Sequence, residues 1–414
     1  MNVVVEKSNT LGAVFSPPSK SYAHRLLISA FLSKLECTVE NIEFSNDVLA
    51  TLNVIKSMGA NYKVDGSSIN FYPPVIPEKE NLIFDAGESG STLRFCLPIC
   101  CALGLDGTFK TAGRLADRPI SKLVNCLNEN GAKVSGFTAS GKLKTGDYFI
   151  DATESSQYIS GLMFALSILD GESKIILKGK KTSVQYISLT IDALSRFGIK
   201  IIETDYGYKV LGNTFISPKK VAVEGDYSNG AFLLSLGAIN GKISVSGLNK
   251  NSLQGDSKIV EILQDFGANI KWQGDVIVVE KSTLTGVEVD VQNIPDLAQI
   301  ISVVGAFAKG KTILKNVERL RLKESDRIGG ILATLKSAGV EVYENGNQIT
   351  IVGGNASSGV FDSQNDHRTC MSATVLALSV DGVSTILGAQ AVNKSYPTFF
   401  KVIKSIGGKV NGDL

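Results

Sequence analysis

Histidine and tryptophan are nearly missing from this chain of 414 residues, which has two of the first and one of the second. A zinc centre would therefore have only His24 and His367 to add to its cysteines. The six cysteines, Cys37, Cys96, Cys100, Cys101, Cys126 and Cys370, form no CxxC pair and lie mostly in apolar runs. They read as buried reduced thiols, not as a disulfide framework or a metal site. Excess charge is also missing, with 42 Lys plus Arg against 40 Asp plus Glu. That balance excludes broad nucleic-acid binding and a polybasic membrane surface, so any basic site must be local. No run approaches the ~18 uncharged apolar residues of a membrane span, and the N-terminus lacks the charged-then-apolar pattern of a signal peptide. A soluble cytoplasmic protein with no membrane or nucleic-acid partner is expected.

Apolar residues make up 43% of the chain and glycines number 41, enough for substantial cores in two or three domains. The glycines are ordered. An amphipathic run ending in Gly and followed by a β-rich stretch recurs as SMGANYKV, NENGAKV, SRFGIKII, QDFGANI, KSAGVEV and SIGGKV. Its glycines are Gly59, Gly131, Gly198, Gly267, Gly339 and Gly407, spaced by 72, 67, 69, 72 and 68 residues. The preceding apolar residues fall at helical spacing, as in Ile259, Ile262, Leu263 and Phe266, so each Gly is expected just past a helix C-terminus.

A second, more apolar helix is expected in every unit: SYAHRLLISAFL, STLRFCLPICCALG, ISGLMFALSIL, NGAFLLSLGAI, LAQIISVVGAFA and CMSATVLALSV. Six α/β units suggest two pseudo-symmetric domains of three. A break is expected near Glu224 to Asp226, with another crossing near Ser16 to Ser19.

The starts of the buried helices carry the chemistry. Five of the six (PSKSYAHR, AGESGSTLR, ESSQYISG, GDYSNGAF, NIPDLAQ and NDHRTCMS) place Ser, Asp or Asn at or near the cap. Capping explains each singly. Lys20 and Arg25, Arg94 and Arg368 add full cations to helix N-termini that already favour anions. Lys323, Glu324, Asp326 and Arg327 in RLKESDRIGG stand at the mouth of an outer helix, with Lys323 and Arg327 read as one face. Arg118 precedes a proline expected at helix position N1. Residues 305 to 312, GAFAKGKT, match the phosphate-loop expression letter for letter, but here helix precedes strand. The reversed order rejects a nucleotide loop.

Assembled in order, PSKSYAHR, GESGSTLR, DRPI, SSQY, SVQY, IPD, KESDR, DHR and KSYP resemble the 5-enolpyruvylshikimate-3-phosphate synthase family over essentially the whole chain. The resemblance implies two inside-out α/β domains, each of three βαβαββ units with three-fold pseudo-symmetry. The expected domains are residues 1–18 with 225–414, and residues 19–224. It implies transfer of the enolpyruvyl group of phosphoenolpyruvate to the 5-hydroxyl of shikimate 3-phosphate in the cleft between the domains, which close on the substrates, with no metal or cofactor, by a monomer.

It also implies the site. Lys20, Ser21, Arg25, Ser155, Ser156, Gln157 and Ser183, with Tyr186 nearby, match shikimate 3-phosphate ligands. Lys20, Gly90, Arg118, Gln157, Arg327, Arg368 and Lys394 match the phosphoenolpyruvate site. Asp296, Lys323 and Glu324 match the residues for proton transfer and hydroxyl positioning, with Lys20 also counted as catalytic. Two positions depart from the family pattern, Glu88 and Arg319, where Asn is common. The loop TAGRLADRP lacks the Cys usual in the sister transferase that acts on UDP-N-acetylglucosamine.

Overall fold

The computed structural model describes residues 1–78, 81–151, 153–179, 181 and 183–412. Its contacts separate into two compact units. A middle unit comprises Lys20–Val223, and a split unit comprises Met1–Ser19 with Glu224–Leu414.

The middle unit contains α1 (Lys20–Ser33), α2 (Asn46–Ser57), α3 (Gly90–Leu103), α4 (Ser121–Glu129), α5 (Ser156–Ser167) and α6 (Val184–Arg196). The odd-numbered helices are the apolar ones, and they lie inside. Phe95, Cys96, Leu97 and Ile99 of α3 and Tyr158, Ile159, Leu162 and Met163 of α5 have no exposed surface. Helices that are apolar all round can only be buried, and here three four-stranded sheets surround them. The split unit repeats the plan with α7 (Tyr227–Asn240), α9 (Ala298–Phe307) and α11 (His367–Ser379) packed against one another. Its outer helices are α8 (Ile259–Asp265), α10 (Arg327–Ser337) and α12 (Phe399–Ser405).

Each sheet has one parallel and two antiparallel pairings. Glu288–Asp290 runs parallel to Lys311–Lys315, which pairs antiparallel with Gln348–Val352 and through it with Glu341–Asn345. That is the βαβαββ unit. The N-terminal strands complete sheets of the split unit, with Asn2–Glu6 between Val383–Leu387 and Lys409–Asn411, and Leu11–Phe15 beside Lys242–Ser246.

All six marker glycines stand one residue past the C-cap of an outer helix with positive φ, from 73° at Gly339 to 103° at Gly59. A Cβ at Gly59 would lie 2.2 Å from the Val75 carbonyl oxygen, so conformation and space both demand glycine there. The helix-to-strand order across GAFAKGKT also holds, with α9 ending at Phe307 and the next strand beginning at Lys311. All six cysteines are buried and reduced. Among the described residues, no helix is long and apolar enough to cross a membrane, and no group of three or more His, Cys, Asp or Glu is placed to hold a metal ion.

Two local expectations are corrected. Lys323 does not share a helical face with Arg327: it is extended (φ −88°, ψ −164°) at the end of a 3-10 turn, and α10 starts only at Arg327. The intervening Asp326 caps α10 by accepting from Gly329 N, and a capped start leaves Lys323 outside the helix. Pro119 is not at N1 either, because α4 begins at Ser121.

Candidate active site

In the middle unit most of the candidate residues stand at or near the starts of the interior helices, while Arg118 and Ser183 precede the outer helices α4 and α6. Lys20 opens α1, and its Nζ donates to Asp47 Oδ2 at 2.7 Å, both side chains being largely buried. Arg25, one turn along, is 2% exposed and spends its nitrogens inside the fold. Nε donates to Thr190 Oγ1 (2.8 Å), Nη1 to Ser21 O (2.6 Å) and Nη2 to Tyr186 O (2.9 Å). The Phe95 ring lies 5.0 Å from the guanidinium carbon. Burial pulls Arg25 down to about 10. Arg25 thus ties α1 to α6, a structural duty that precedes any contact with a ligand.

Gly90 begins α3, capped by Ser89, and the Arg118 guanidinium lies over its Cα. Arg94 Nη1 donates to Gln157 Oε1 (2.8 Å) and Nη2 to Pro119 O (2.7 Å), while Gln157 Nε2 donates to Ser91 Oγ (3.0 Å). Gln157 therefore joins α5 to α3 with both ends of its amide. Ser155 caps α5 at Gln157 N (3.3 Å), and Ser156 is buried beside it. Ser183 precedes α6 in the left-handed region (φ 52°), uncommon outside glycine and costly without support.

The split unit holds a denser ion network. Arg327 opens α10 at 1% side-chain exposure and donates from all three nitrogens: Nη1 to Asp296 Oδ1 (2.7 Å), Nη2 to Glu324 Oε2 (2.7 Å) and Nε to Asp366 Oδ2 (3.0 Å). Arg368, second in α11, donates through Nη2 to the other Asp296 oxygen (2.9 Å). Asp366 caps α11 at the backbone N–H groups of Arg368 and Thr369 and accepts from Ser325 Oγ (2.9 Å). Lys394 Nζ donates to Asn365 O at 2.5 Å.

Burial disfavours the Asp296 carboxylate, but Arg368 and Arg327 outweigh it and hold the carboxyl well below the usual range. Burial would likewise weaken Arg327, yet Asp366, Glu324 and Asp296 raise it well above an ordinary arginine. Lys323 is the opposite case: burial lowers it to about 8, Arg327 and Arg319 push the same way, and Asp296 and Glu324 only partly compensate. A lysine near 8 exchanges protons close to neutral pH.

Comparison with known proteins bears on the chain as a whole. The profile of the family described as EPSP synthase (3-phosphoshikimate 1-carboxyvinyltransferase) matches residues 5–403. The chain belongs to the EPSP synthase family. The 3-phosphoshikimate 1-carboxyvinyltransferase of Clostridium novyi is 37% identical across 99% of this chain and 98% of its own length. That of Clostridium acetobutylicum is 38% identical across 97% and 96%. An EPSP synthase structure from Acinetobacter baumannii superposes with a TM-score of 0.84 at 22% identity, covering 99% of each chain. The enolpyruvyl transferase NikO from Streptomyces tendae superposes at 0.80 with 14% identity, over 99% and 98%. At such identities the superpositions concern the two-domain α/β fold, and sequence carries the family.

Within this EPSP synthase family member, several supporting residues carry no distinguishing signal in the sequence. Asp47 stands in the first turn of α2, and no motif points to its bond with Lys20. Asp366 was visible as a cap, but nothing in DHR indicated a bond to Arg327. Asp256 gave no signal; it lies buried in a 3-10 turn and accepts from Ser228 Oγ. Asp296 stands next to the start of α9 without capping it, and its carboxylate is committed to the two arginines.

Proposed function

We propose that this chain is a 3-phosphoshikimate 1-carboxyvinyltransferase. It moves the enolpyruvyl group of phosphoenolpyruvate to the 5-hydroxyl of shikimate 3-phosphate and releases phosphate. The observation that carries the reading is Asp296 held between Arg327 and Arg368: a carboxylate bonded to one nitrogen of each of two guanidinium groups, both of a kind suited to a substrate carboxylate.

In this reading the middle unit supplies Lys20, Ser21, Arg25, Ser155, Ser156, Gln157 and Ser183 toward shikimate 3-phosphate, and Lys20, Gly90, Arg118 and Gln157 toward phosphoenolpyruvate. The split unit supplies Arg327, Arg368 and Lys394 to phosphoenolpyruvate, with Asp296, Glu324 and Lys323 for proton transfer. When the phosphoenolpyruvate carboxylate takes Arg327 and Arg368, Asp296 loses the charges that depress it and gains proton affinity. It then accepts the 5-hydroxyl proton as that oxygen bonds to C2, while Glu324, assisted by Lys323, delivers a proton to C3. In the second step C3 returns its proton to Glu324, the C2–O bond to phosphate breaks, and the departing phosphate takes the proton held by Asp296. Cations already placed where charge develops supply the stabilisation. The enzyme works as a cytoplasmic monomer without metal or cofactor, so treatment with a chelator leaves turnover unchanged.

The test is phosphate release from purified protein given both substrates, each substrate alone, or UDP-N-acetylglucosamine with phosphoenolpyruvate. Release only with shikimate 3-phosphate plus phosphoenolpyruvate is expected, and binding without release would make the chain a sensor instead. Asp296→Ala should cut kcat by about 10²-fold or more; near-normal turnover would remove Asp296 from proton transfer.

A further inference from the structure

Two interior residues of α1 face two residues of α2 in a ladder. Lys20 bonds Asp47, and one turn along both helices His24 Nδ1 meets Thr51 Oγ1 at 2.7 Å. The second rung continues. Thr51 Oγ1 meets Thr92 Oγ1 at 2.6 Å, and Thr92 Oγ1 donates to Ser89 Oγ at 2.8 Å. His24, Thr51, Thr92 and Ser89 are each at most 1% exposed. The chain runs from α1 through α2 to the cap of α3, whose first residue is Gly90.

Its direction follows from counting protons. Thr92 spends its hydroxyl hydrogen on Ser89, so it must accept from Thr51. Thr51, having donated, must accept from His24, which places the imidazole hydrogen on Nδ1. The other nitrogen agrees: Nε2 is buried with no partner among the described residues, and a buried bare acceptor is less costly than a buried orphan N–H. At the far end Ser89 Oγ accepts both the Thr92 hydroxyl and the Thr92 N–H (3.3 Å). Both acceptor positions are then filled, and Ser89 has a fixed rotamer at the mouth of α3.

We propose that His24 is a positioning residue for the phosphoenolpyruvate-binding start of α3, acting through Thr51 and Thr92 to fix the Ser89 cap and so the backbone amide of Gly90. This rests on Gly90 belonging to the phosphoenolpyruvate site as read above. A cap locked by three hydroxyl bonds presents its first-turn N–H groups in one orientation, which is what an anion at a helix N-terminus requires. The shikimate 3-phosphate ligands of α1 have separate anchors, through Asp47 and through the three bonds of Arg25, so loss of the relay acts on one substrate.

Steady-state kinetics for both substrates, with thermal unfolding as a control, test this on His24→Leu, His24→Asn, His24→Gln and Thr51→Val. An Asn amide reaches the position of imidazole Nδ1, whereas a Gln amide reaches that of Nε2. His24→Leu, His24→Gln and Thr51→Val are expected to raise KM for phosphoenolpyruvate about tenfold, the scale of one lost buried hydrogen bond. KM for shikimate 3-phosphate should stay within about twofold, and His24→Asn should recover most of the loss. Equal behaviour of Asn and Gln, or parallel changes for both substrates, overturns the proposal. A wild-type protein that releases no phosphate sinks the functional reading instead. The relay is then read from the ¹⁵N imidazole spectrum of the wild type at neutral pH, with His367→Gln for assignment, where a bare Nδ1 on His24 overturns it even if no variant folds.

Discussion

The Arg118 guanidinium rests on the bare Cα of Gly90: a Cβ built at Gly90 would lie 2.4 Å from Nη1 and 2.9 Å from Cζ. Because the clash is with the far end of a flexible side chain, Gly90→Ala should displace Arg118 without harming the fold. Alanine even favours the helix by up to about 1 kcal/mol. KM for phosphoenolpyruvate should therefore rise about tenfold, as for one lost charge-assisted hydrogen bond, while Tm holds or increases. An unchanged KM would place Arg118 outside the substrate site.

Glu88 is the neighbour across the same turn. A Cβ on Gly113, which opens the 3-10 turn leading to Arg118, would lie 2.8 Å from the Glu88 carboxyl carbon. A carboxylate there opposes an incoming polyanion. Glu88→Asn should lower KM for phosphoenolpyruvate at neutral pH by about twofold to fivefold, the range of a partly screened charge. An unchanged or higher KM refutes this.

Lys323 links the site to pH. Its proton affinity is lowered to about 8, first by burial and then by Arg327 and Arg319, so the ammonium is present below that pH and lost above it. If Lys323 assists as a cation or acid, kcat falls as pH rises through about 8. Lys323→Arg, charged throughout, should move that basic limb upward even at reduced rate. A wild-type profile flat to pH 10 would exclude the role.

Asp256 gives a stability signature with the opposite chemistry. Burial raises it to about 7, Asp296 and Asp226 add to the rise, and Arg368 and the Ser228 hydroxyl oppose it. The folded state thus holds this proton more tightly than the unfolded chain, where an aspartate titrates near about 3.9. The contribution is full below that value and is lost as pH rises through about 7. Asp256→Asn, neutral at every pH, should raise Tm by about 2–4 °C at pH 8 and by less at pH 5. Equal gains at both values would mean that Asp256 is not protonated in the fold.

Much of this protein is local in origin and legible in the chain. Gly59, Gly131, Gly198, Gly267, Gly339 and Gly407 mark the six units because a helix C′ residue with positive φ depends on no distant partner. The apolar helices declare themselves interior by composition, and the cations at their starts stand beside N-termini that attract anions wherever they fold. Family motifs supply the rest of the candidate site from nearby letters.

What only the tertiary structure decided is pairing across distance. Arg327 meets Asp296 and Asp366 over separations of 31 and 39 residues, Arg25 meets Thr190 over 165, and His24 reaches Ser89 through hydroxyls from two other helices. Residue type sets what a side chain can donate or accept, but its partner depends on which helix starts the packed core brings together. For that reason the sequence identified Lys323 and Asp296 as candidates, while surroundings known only from the fold lower both proton affinities for different reasons, burial first at Lys323 and the two arginines at Asp296.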